Sequence, residues 1–411
     1  MREMYGEKMK IWKRFINMFM CIMICAQMCV VNIYAEETQN EPEELYARSA
    51  VLMDADSGRI LFQKDGENVM PMASTTKIMT CILTLENMED GQTGMASDYA
   101  VSQPKVHLGV RSKEEFYLED LLYSLMLESH NDSAVIIAET IGGTVEGFAA
   151  LMNEKAKGLG GNDTYFITPN GLDAEDENGI HSTTAADLAR IMKYCIMDSP
   201  EKDEFLKITQ TKSYQFSDVK GERSFSCTNH NAFLDMMEGA FSGKTGFTAN
   251  AGYCYVGALE RDGKTFIVAL LACGWPNNKT YKWKDTRKLM EYGLNNYEYR
   301  NVWEEVKSKN VLVENGVDKA NPYNSEVYIH TKVANEDKEL SILLKKSEKV
   351  EIQVEQDEKI EAPVAKNEKI GTVTYFLDGK MLKQYDVVTV NAIKEKDLLW
   401  CINMLSREYL L

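Results

Sequence analysis

The stretch MPMASTTKIMTCILTLE, residues 70–86, places Ser74 and Lys77 three positions apart at the entrance to a strongly apolar run. The run predicts a helix, and residues three or four positions apart lie on one face of a helix. Burial in such surroundings lowers the pKa of a lysine, so that its amine can take a proton from a serine. The alternative is a core helix that begins with serine and threonine caps and carries a surface charge.

The S-x-x-K spacing alone is not specific, because it occurs four times in the chain: at Ser74–Lys77, Ser102–Lys105, Ser199–Lys202 and Ser217–Lys220. Pro104 lies inside the second pair and disfavours a helix that would bring both side chains to one face. The last two pairs lie in polar, loop-like surroundings, where a lysine is simply solvated. Only the first pair opens an apolar helix, and it is therefore the candidate for a nucleophile and its base.

The composition is that of a globular protein of two or three domains, with 411 residues of which 44% are hydrophobic and 27% charged. The formal net charge is -17. A chain with this excess of acidic residues is poorly suited to neutralise phosphate, which requires lysine and arginine. We therefore expect no nucleic-acid partner.

The N-terminal segment has the organisation of an export signal. Five basic residues precede an uncharged, mostly apolar run at 15–31, and Ala35 offers a cleavage site. Residues 1–35 are predicted to be a signal peptide, and residues 36–46, which are acidic and contain proline, a linker. An uncleaved membrane anchor is the alternative, because the apolar run is near the lower length limit for a span. In both cases the rest of the chain is exported.

Neither the cysteines nor the histidines form a metal-binding pattern. The six cysteines outside the signal peptide are scattered and contain no C-x-x-C pair, so we expect buried thiols; oxidative pairing of one couple is the alternative. The other expectation is that four histidines without metal-ligand spacing lie on the surface or in loops: His107, His181, His230 and His330. No G-x-S-x-G occurs, which argues against a Ser-His-Asp hydrolase. We expect no metal and no cofactor.

The periodicity of apolar residues predicts an α+β fold. Alternating segments on both sides of turns predict two β-hairpins, at 47–64 and 251–273. Helical patterns occupy 74–87, 113–128, 132–143, 144–158, 183–196 and 283–297. Beyond about residue 300, alternating segments between charged turns predict a small all-β domain, and an apolar stripe at helical spacing runs through 398–409. We expect domains at 47–297 and 298–391, followed by an amphipathic helix within 392–411.

Two further motifs occur at places where side chains can project into a site. Ser129-x-Asn131 lies at a break between two predicted helices, and Lys244-Thr245-Gly246 leads into the second hairpin. Lys244 would add positive potential beside a nucleophile, while Thr245 and Gly246 could receive a carboxylate and let a substrate backbone lie close. Taken singly, each motif also fits an ordinary turn.

Taken in order, S-x-x-K, S-x-N and K-T-G resemble the motif set of penicillin-binding proteins and serine β-lactamases. The stretches 49–80, SAVLMDADSGRILFQKDGENVMPMASTTKIMT, and 242–271, SGKTGFTANAGYCYVGALERDGKTFIVALL, are similar to D-alanyl-D-alanine carboxypeptidases of the low-molecular-mass penicillin-binding class. The resemblance covers roughly 45–295 and continues into the second domain to about residue 391. It implies an α+β DD-peptidase domain, with an antiparallel sheet and a helical subdomain, before a small all-β domain. The chain departs from the family at His130, where a small residue is usual, and carries Phe at position 247.

The resemblance also implies how the motif residues act on a peptidoglycan stem peptide. Ser74 would attack the carbonyl between the two terminal D-alanines, and Lys77 would remove the serine proton. Ser129 and Lys244 would relay a proton to the leaving amine. Asn131 would hydrogen-bond the substrate amide and the Lys77 side chain.

The remaining implied roles concern the oxyanion and the substrate carboxylate. The backbone N–H groups of Ser74 and Phe247 would form the oxyanion hole, and Thr245 would meet the terminal carboxylate next to Gly246. No metal is required, and β-lactam antibiotics would act as inhibitors. In this family the C-terminal helix often lies flat on the outer face of the membrane, although LLWCIN, residues 398–403, could equally pack on the β domain.

Three other functions fit the same motifs less well. A β-lactamase would need fast deacylation and lacks the additional β domain. A DD-endopeptidase or transpeptidase would differ in the cleft rather than in these motifs. A non-catalytic wall-binding protein, a function of a different class, would not need the full set of motif residues.

Overall fold

The computed structural model describes residues 41–306, 309–334 and 338–409. The signal peptide predicted at 1–35 and the first five residues of the predicted linker lie outside them. Within the described ranges, no single helix has the length and apolarity to cross a membrane; a pair bent by 82°, 131–142 with 145–158, meets both criteria jointly.

The strands, in chain order, are β1 Ser49–Asp54, β2 Ile60–Lys64, β3 Thr93–Met95, β4 Glu115–Tyr117, β5 Glu175–Asp176, β6 Gly179–Ile180, β7 Ser213–Ser217, β8 Ser224–Thr228, β9 Ala240–Thr248, β10 Gly252–Arg261, β11 Lys264–Leu271, β12 Tyr297–Asn301, β13 Val311–Glu314, β14 Val327–Ile329, β15 Thr331–Val333, β16 Ser341–Lys345, β17 Val350–Gln356, β18 Lys359–Glu361, β19 Lys369–Leu377 and β20 Lys380–Thr389.

The helices are α1 Lys77–Asn87, α2 Asp98–Val101, α3 Leu118–Tyr123, α4 Asn131–Gly142, α5 Val145–Gly158, α6 Ala185–Lys193, α7 Lys202–Gln210, α8 Phe233–Met236, α9 Tyr281–Asn296 and α10 Leu398–Tyr409. A 3₁₀ turn at Ala73–Thr76 precedes α1, and π-helical turns follow α3 at Ser124–Glu128 and α6 at Tyr194–Asp198.

A five-stranded antiparallel sheet, in the order β2-β1-β11-β10-β9, forms the centre of the fold. Alternate residues of its central strands enter two separate apolar cores: Val256 packs on one side of the sheet and Tyr255 on the other. Strands buried on both faces need continuous apolar sequence, which is why β10 and β11 read as unbroken hydrophobic runs. Both predicted hairpins, at 47–64 and 251–273, are confirmed.

The helix α1 lies in the larger core, and nine of its eleven residues are buried. Each fully buried aliphatic side chain contributes about 1.5–3 kcal/mol, so this burial holds α1 within the larger core. The predicted start at residue 74 needs correction, because Ser74 lies in the preceding 3₁₀ turn. Ala73 at the entrance to that turn has φ +49°, which an α-helix does not allow.

The helix predicted at 113–128 is wrong in its first part. Residues 115–117 form β4, which pairs with β3 and buries Phe116. The extended backbone of Tyr117 then precedes α3, and the chain widens into the π-helical turn at 124–128. Pairing with β3, a contact distant in sequence, overrides the local helical pattern.

The all-β region after α9 has its own apolar core around Val373, Tyr375 and Val387. Its sheets follow the orders β15-β20-β19-β17 and β14-β13-β18, and β12, which directly follows α9, pairs with β16. An ion pair of 3.1 Å between Arg59 Nη2 and Glu348 Oε2 links the β1–β2 turn to this region.

The C-terminal helix α10 has no buried residue, and Leu398, Ile402, Leu405 and Tyr409 are all at least half exposed. Packing of 398–403 on the β domain, the alternative for this helix, is therefore not what the structure shows. The prediction of buried thiols is confirmed for five of the six cysteines but is wrong for Cys401, which lies exposed on α10.

Candidate active site

Ser74 and Lys77 lie side by side at the junction of the 3₁₀ turn and α1. Lys77 Nζ donates to Ser74 Oγ across 3.0 Å, and the lysine is fully buried whereas Ser74 is half-buried. Burial, reinforced by the positive charge of Lys244, holds the pKa of Lys77 well below its usual 10.5, and Asp132 only partly opposes this. A neutral amine beside a hydroxyl is an arrangement that can accept the serine proton.

Two acceptors fix the Lys77 amine in place. Asn131 Oδ1 accepts from Nζ at 3.0 Å, and the backbone carbonyl of Asn170 accepts at 2.5 Å. Asn131 begins α4 and donates through Nδ2 to Pro104 O at 3.1 Å. Asn170 was not predicted from the sequence. Every residue has a backbone carbonyl, so the type of residue at position 170 gives no indication of this contact.

Ser129 and Lys244 form a second serine–lysine pair on the opposite wall. Lys244 Nζ donates to Ser129 Oγ at 3.0 Å and to Thr245 O at 3.1 Å. Burial lowers the pKa of Lys244 from 10.5 to about 7, so its ammonium and amine forms are both accessible near neutral pH. Ser129 has φ +67°, in the left-handed region, and it ends the π-helical turn that precedes it.

Gly246 is the point of closest approach between β9 and the nucleophile. A Cβ at this position would lie 2.9 Å from the Ser74 nitrogen and 3.0 Å from the Thr75 nitrogen, nearer than real Cβ atoms come. Only glycine lets β9 run this close to the Ser74 backbone, and Phe247 is the next residue along the strand. Phe247 itself is exposed and its ring lies 4.7 Å from that of Tyr253.

These residues line a cleft of about 330 Å³. Of the eight predicted site residues, six line it: Ser74, Ser129, Lys244, Thr245, Gly246 and Phe247. Lys77 and Asn131 lie directly behind Ser74. The structure therefore brings all three motifs into one site, as the order of the motifs predicts.

Lys282 also lines the cleft and was missed by the sequence analysis, because it belongs to no motif. Its ammonium lies 4.7 Å from the ring centre of Tyr253 and 4.6 Å from that of Trp283, and it donates to Lys279 O. Burial lowers its pKa to about 8. Among the described residues no carboxylate forms an ion pair with Lys282, so a cation faces the cleft unneutralised.

His181, predicted to lie on the surface or in a loop, lies in the loop between β6 and α6 but is buried beneath the nucleophile turn. Its Nδ1 accepts from the Ile167 amide at 2.9 Å, which leaves the proton of the neutral ring on Nε2, 2.8 Å from Thr76 Oγ1. Thr76 in turn donates to Ala73 O at 2.9 Å. Burial and the nearby Lys77 lower the pKa of His181 to about 4, so the ring stays neutral and braces the turn.

Metal chemistry has no evident ligands here. Across residues 41–306, 309–334 and 338–409, no three side chains from His, Cys, Asp and Glu are grouped so as to bind a metal ion.

Comparison with known proteins finds two families that match this chain. Residues 35–273 match the D-alanyl-D-alanine carboxypeptidase family, and residues 323–395 match the C-terminal domain of penicillin-binding protein 5. A D-alanyl-D-alanine carboxypeptidase of Bacillus subtilis is 28% identical over 257 residues, which span 61% of this chain and 63% of that relative.

Two solved structures show the extent of the likeness. Penicillin-binding protein 5 of Haemophilus influenzae aligns with a TM-score of 0.65 and 27% identity, over 87% of this chain and all of that one. Penicillin-binding protein D2 of Listeria monocytogenes in its ampicillin-bound form aligns with a TM-score of 0.51 and 29% identity, over 62% of this chain and all of that one. These matches confirm the α+β peptidase fold with an all-β second domain, and the chain belongs to the D-alanyl-D-alanine carboxypeptidase family.

Proposed function

We propose that the protein is a serine-type D-alanyl-D-alanine carboxypeptidase that removes the terminal D-alanine from peptidoglycan stem peptides through an acyl-enzyme at Ser74. The observation that carries this proposal is the 3.0 Å contact between Ser74 Oγ and the fully buried amine of Lys77. A lysine with a depressed pKa, held against a serine in a cleft, is suited to general-base activation of that serine.

In the acylation step, Ser74 Oγ attacks the carbonyl carbon between the last two D-alanines while its proton passes to Lys77 Nζ. Negative charge develops on the carbonyl oxygen, and we assign its stabilisation to the backbone N–H groups of Ser74 and Phe247, as the family resemblance implies. The C–N bond then breaks as the leaving amine receives a proton from Ser129, which Lys244 resupplies. A water molecule subsequently hydrolyses the ester and regenerates Ser74.

The free carboxylate of the terminal D-alanine distinguishes this substrate from an internal peptide bond. Thr245 is half-buried on β9 and Lys282 presents an uncompensated positive charge to the same cleft. We propose that the two side chains together receive the carboxylate. Hydrogen bonds to charged groups of this kind contribute about 1.5–3 kcal/mol.

β-Lactams are proposed to acylate the same serine. The ampicillin-bound structure of the Listeria protein, which is 29% identical to this chain over 62% of its length, supports this proposal. When a β-lactam ring opens, the leaving nitrogen stays attached to the acyl group, so the departure that makes room for water does not occur.

The direct test of the proposed function is the release of free D-alanine from a synthetic pentapeptide that ends in D-Ala-D-Ala. We expect release from the wild type, with none from the same peptide ending in L-Ala-L-Ala. Turnover of benzylpenicillin without release of D-alanine would instead favour a β-lactamase. Cleavage of cross-linked dimers, but not of the pentapeptide, would favour an endopeptidase.

Replacing Lys282 with glutamine is expected to raise KM for the D-Ala-D-Ala peptide by at least about tenfold with little change in kcat, because one charged hydrogen bond to the carboxylate is lost. Steady-state release of D-alanine measures both constants. Lys284→Gln is the matched control, since Lys284 lies on the exposed side of the same helix. Equal KM values for the wild type and Lys282→Gln would rule out the proposed carboxylate contact.

Replacing Gly246 with alanine is expected to slow acylation by penicillin about 10²-fold, because the new Cβ must push β9 away from the Ser74 backbone and so displaces an oxyanion donor. Stopped-flow acylation by a fluorescent penicillin provides the rate constant. Gly158→Ala introduces a Cβ into open space and serves as the control. A wild-type acylation rate in Gly246→Ala would contradict the close-approach argument.

We propose, finally, that the protein acts outside the cytoplasm and that α10 lies on the outer face of the membrane. The apolar stripe on α10, exposed in the chain itself, supports membrane contact. The mature chain is expected to co-sediment with zwitterionic lipid vesicles through the apolar stripe, and a chain ending at residue 391 is expected to stay in the supernatant. Equal co-sedimentation of the two would exclude α10 as the anchor.

A further inference from the structure

His130 is the middle residue of the Ser129–Asn131 turn. In the family that the sequence resembles, a small residue is usual at this position. It is buried, with 9% of its surface exposed, and its Nδ1 lies 2.8 Å from Ser124 Oγ. The Ser124 hydroxyl also contacts Ser133 Oγ at 2.8 Å. The proposed acyl transfer assigns no role to this large, buried ring or to its contact with Ser124.

Ser124 contacts the turn that contains Ser129 through both its backbone and its side chain. The carbonyl of Ser124 accepts the backbone N–H of Ser129 and, at 3.4 Å, that of His130. The same residue is therefore tied to the turn twice, by its carbonyl to the backbone and by its hydroxyl to the His130 ring. Ser129 needs such support, because a left-handed backbone is unfavourable for a residue other than glycine.

We propose that His130 is a positioning residue that, through Ser124, holds the left-handed Ser129 turn and so keeps Ser129 Oγ at the Lys244 amine. His130 is not among the described residues that line the cleft. It acts on the reaction by fixing the direction of a hydroxyl that must lie 3.0 Å from Lys244 Nζ. The inference rests on the proposed acyl transfer, in which Ser129 carries a proton.

The groups that face His130 make its effect depend on pH. Asp132 and Glu128 favour a proton on the ring, whereas Lys77 and His107 disfavour it, and burial keeps the pKa of His130 below 6.5. At neutral pH the ring is uncharged. Protonation at lower pH would place a positive charge inside the buried Ser129 turn and disturb it. We therefore expect acylation to decline at low pH, and we expect part of that decline to require His130.

The test compares the second-order rate constant of acylation by a fluorescent penicillin, between pH 5 and 8, in wild type, His130→Gly, His130→Asn and Ser124→Ala. We expect His130→Gly and Ser124→Ala to be slowed about tenfold at pH 8, because small displacements of catalytic groups are costly. His130→Asn places an amide where Nδ1 lies, so it should acylate within threefold of the wild type at pH 8 and lose the additional decline below pH 6.5. His330→Asn, on the β domain, is the matched control.

The outcomes separate this inference from the proposed function. If the wild type is not acylated at all, the acyl-transfer function fails and the inference with it. If the wild type reacts and both His130→Gly and Ser124→Ala react equally fast, with the same pH profile, the positioning role is overturned and the function stands. The positioning role would also be overturned if His130→Asn were acylated as slowly as His130→Gly at pH 8. Thermal unfolding of each variant distinguishes a misplaced turn from a loss of folded protein.

Discussion

Replacing Ser74 with alanine is expected to lower D-alanine release from a D-Ala-D-Ala peptide by at least about 10³-fold, because no other hydroxyl can take over the role of a covalent nucleophile. The substitution removes a single half-buried oxygen. Lys77 keeps its contacts with Asn131 Oδ1 and Asn170 O, so the fold and the walls of the cleft should be retained.

The matched control for Ser74→Ala is Ser102→Ala, in a second S-x-x-K sequence. Ser102 is exposed and its hydroxyl donates to Tyr99 O at 2.8 Å, outside the cleft. We expect D-alanine release at the wild-type rate from this variant. If Ser74→Ala retained more than a few per cent of activity while remaining folded, the assignment of the nucleophile would be wrong.

Replacing Lys77 with methionine is expected to slow acylation by benzylpenicillin by about 10²–10⁴-fold, the range that a positioned general base contributes. Methionine is close to lysine in length and apolar, so it suits the buried site while removing the amine. Because the folded protein holds the pKa of Lys77 well below 10.5, the wild-type rate should fall as the pH drops through that lowered value. The variant should lose this dependence.

Lys105→Met, in the exposed S-x-x-K sequence, controls for the loss of a positive charge and should acylate normally. The variant Lys77→Met leaves Asn131 Oδ1 without the Lys77 donor, at a cost of about 1–3 kcal/mol, and leaves Asn170 O with only the 3.4 Å contact from Ser74 Oγ, but it also relieves the burial of an amine. Unfolding by urea measures the balance. An unchanged acylation rate in folded Lys77→Met would mean that another group acts as the base.

The order of the three motifs made most of the site predictable. Ser74 and Lys77 are near in sequence, so helical spacing alone brings them together. Ser129 and Lys244 are 115 positions apart in the sequence, and yet Lys244 Nζ lies 3.0 Å from Ser129 Oγ. This distance follows from how the fold places the turn before α4 beside β9, and only the resemblance to a family anticipated it. The two hairpins and most of the helix positions were predicted from the periodicity of hydrophobic residues.

The parts that could not be predicted depend on contacts distant in sequence. Phe116 belongs to a strand only because β3 lies beside it, and the left-handed backbone of Ser129 follows from the π-helical turn before it. Asn170 acts through its carbonyl, which any residue has. His181 and Lys282 carry no local motif, and their burial and low pKa values arise from the elements that the fold packs around them.

The central claim is that Ser74 forms a covalent acyl-enzyme, and the most direct test is the mass of the mature protein after brief incubation with benzylpenicillin, followed by mapping of the modified peptide. We expect one penicilloyl increment in the wild type, located on the peptide that contains Ser74, and none in Ser74→Ala. No adduct on the wild type, with the penicillin left intact, or an adduct on a different peptide, would contradict the account.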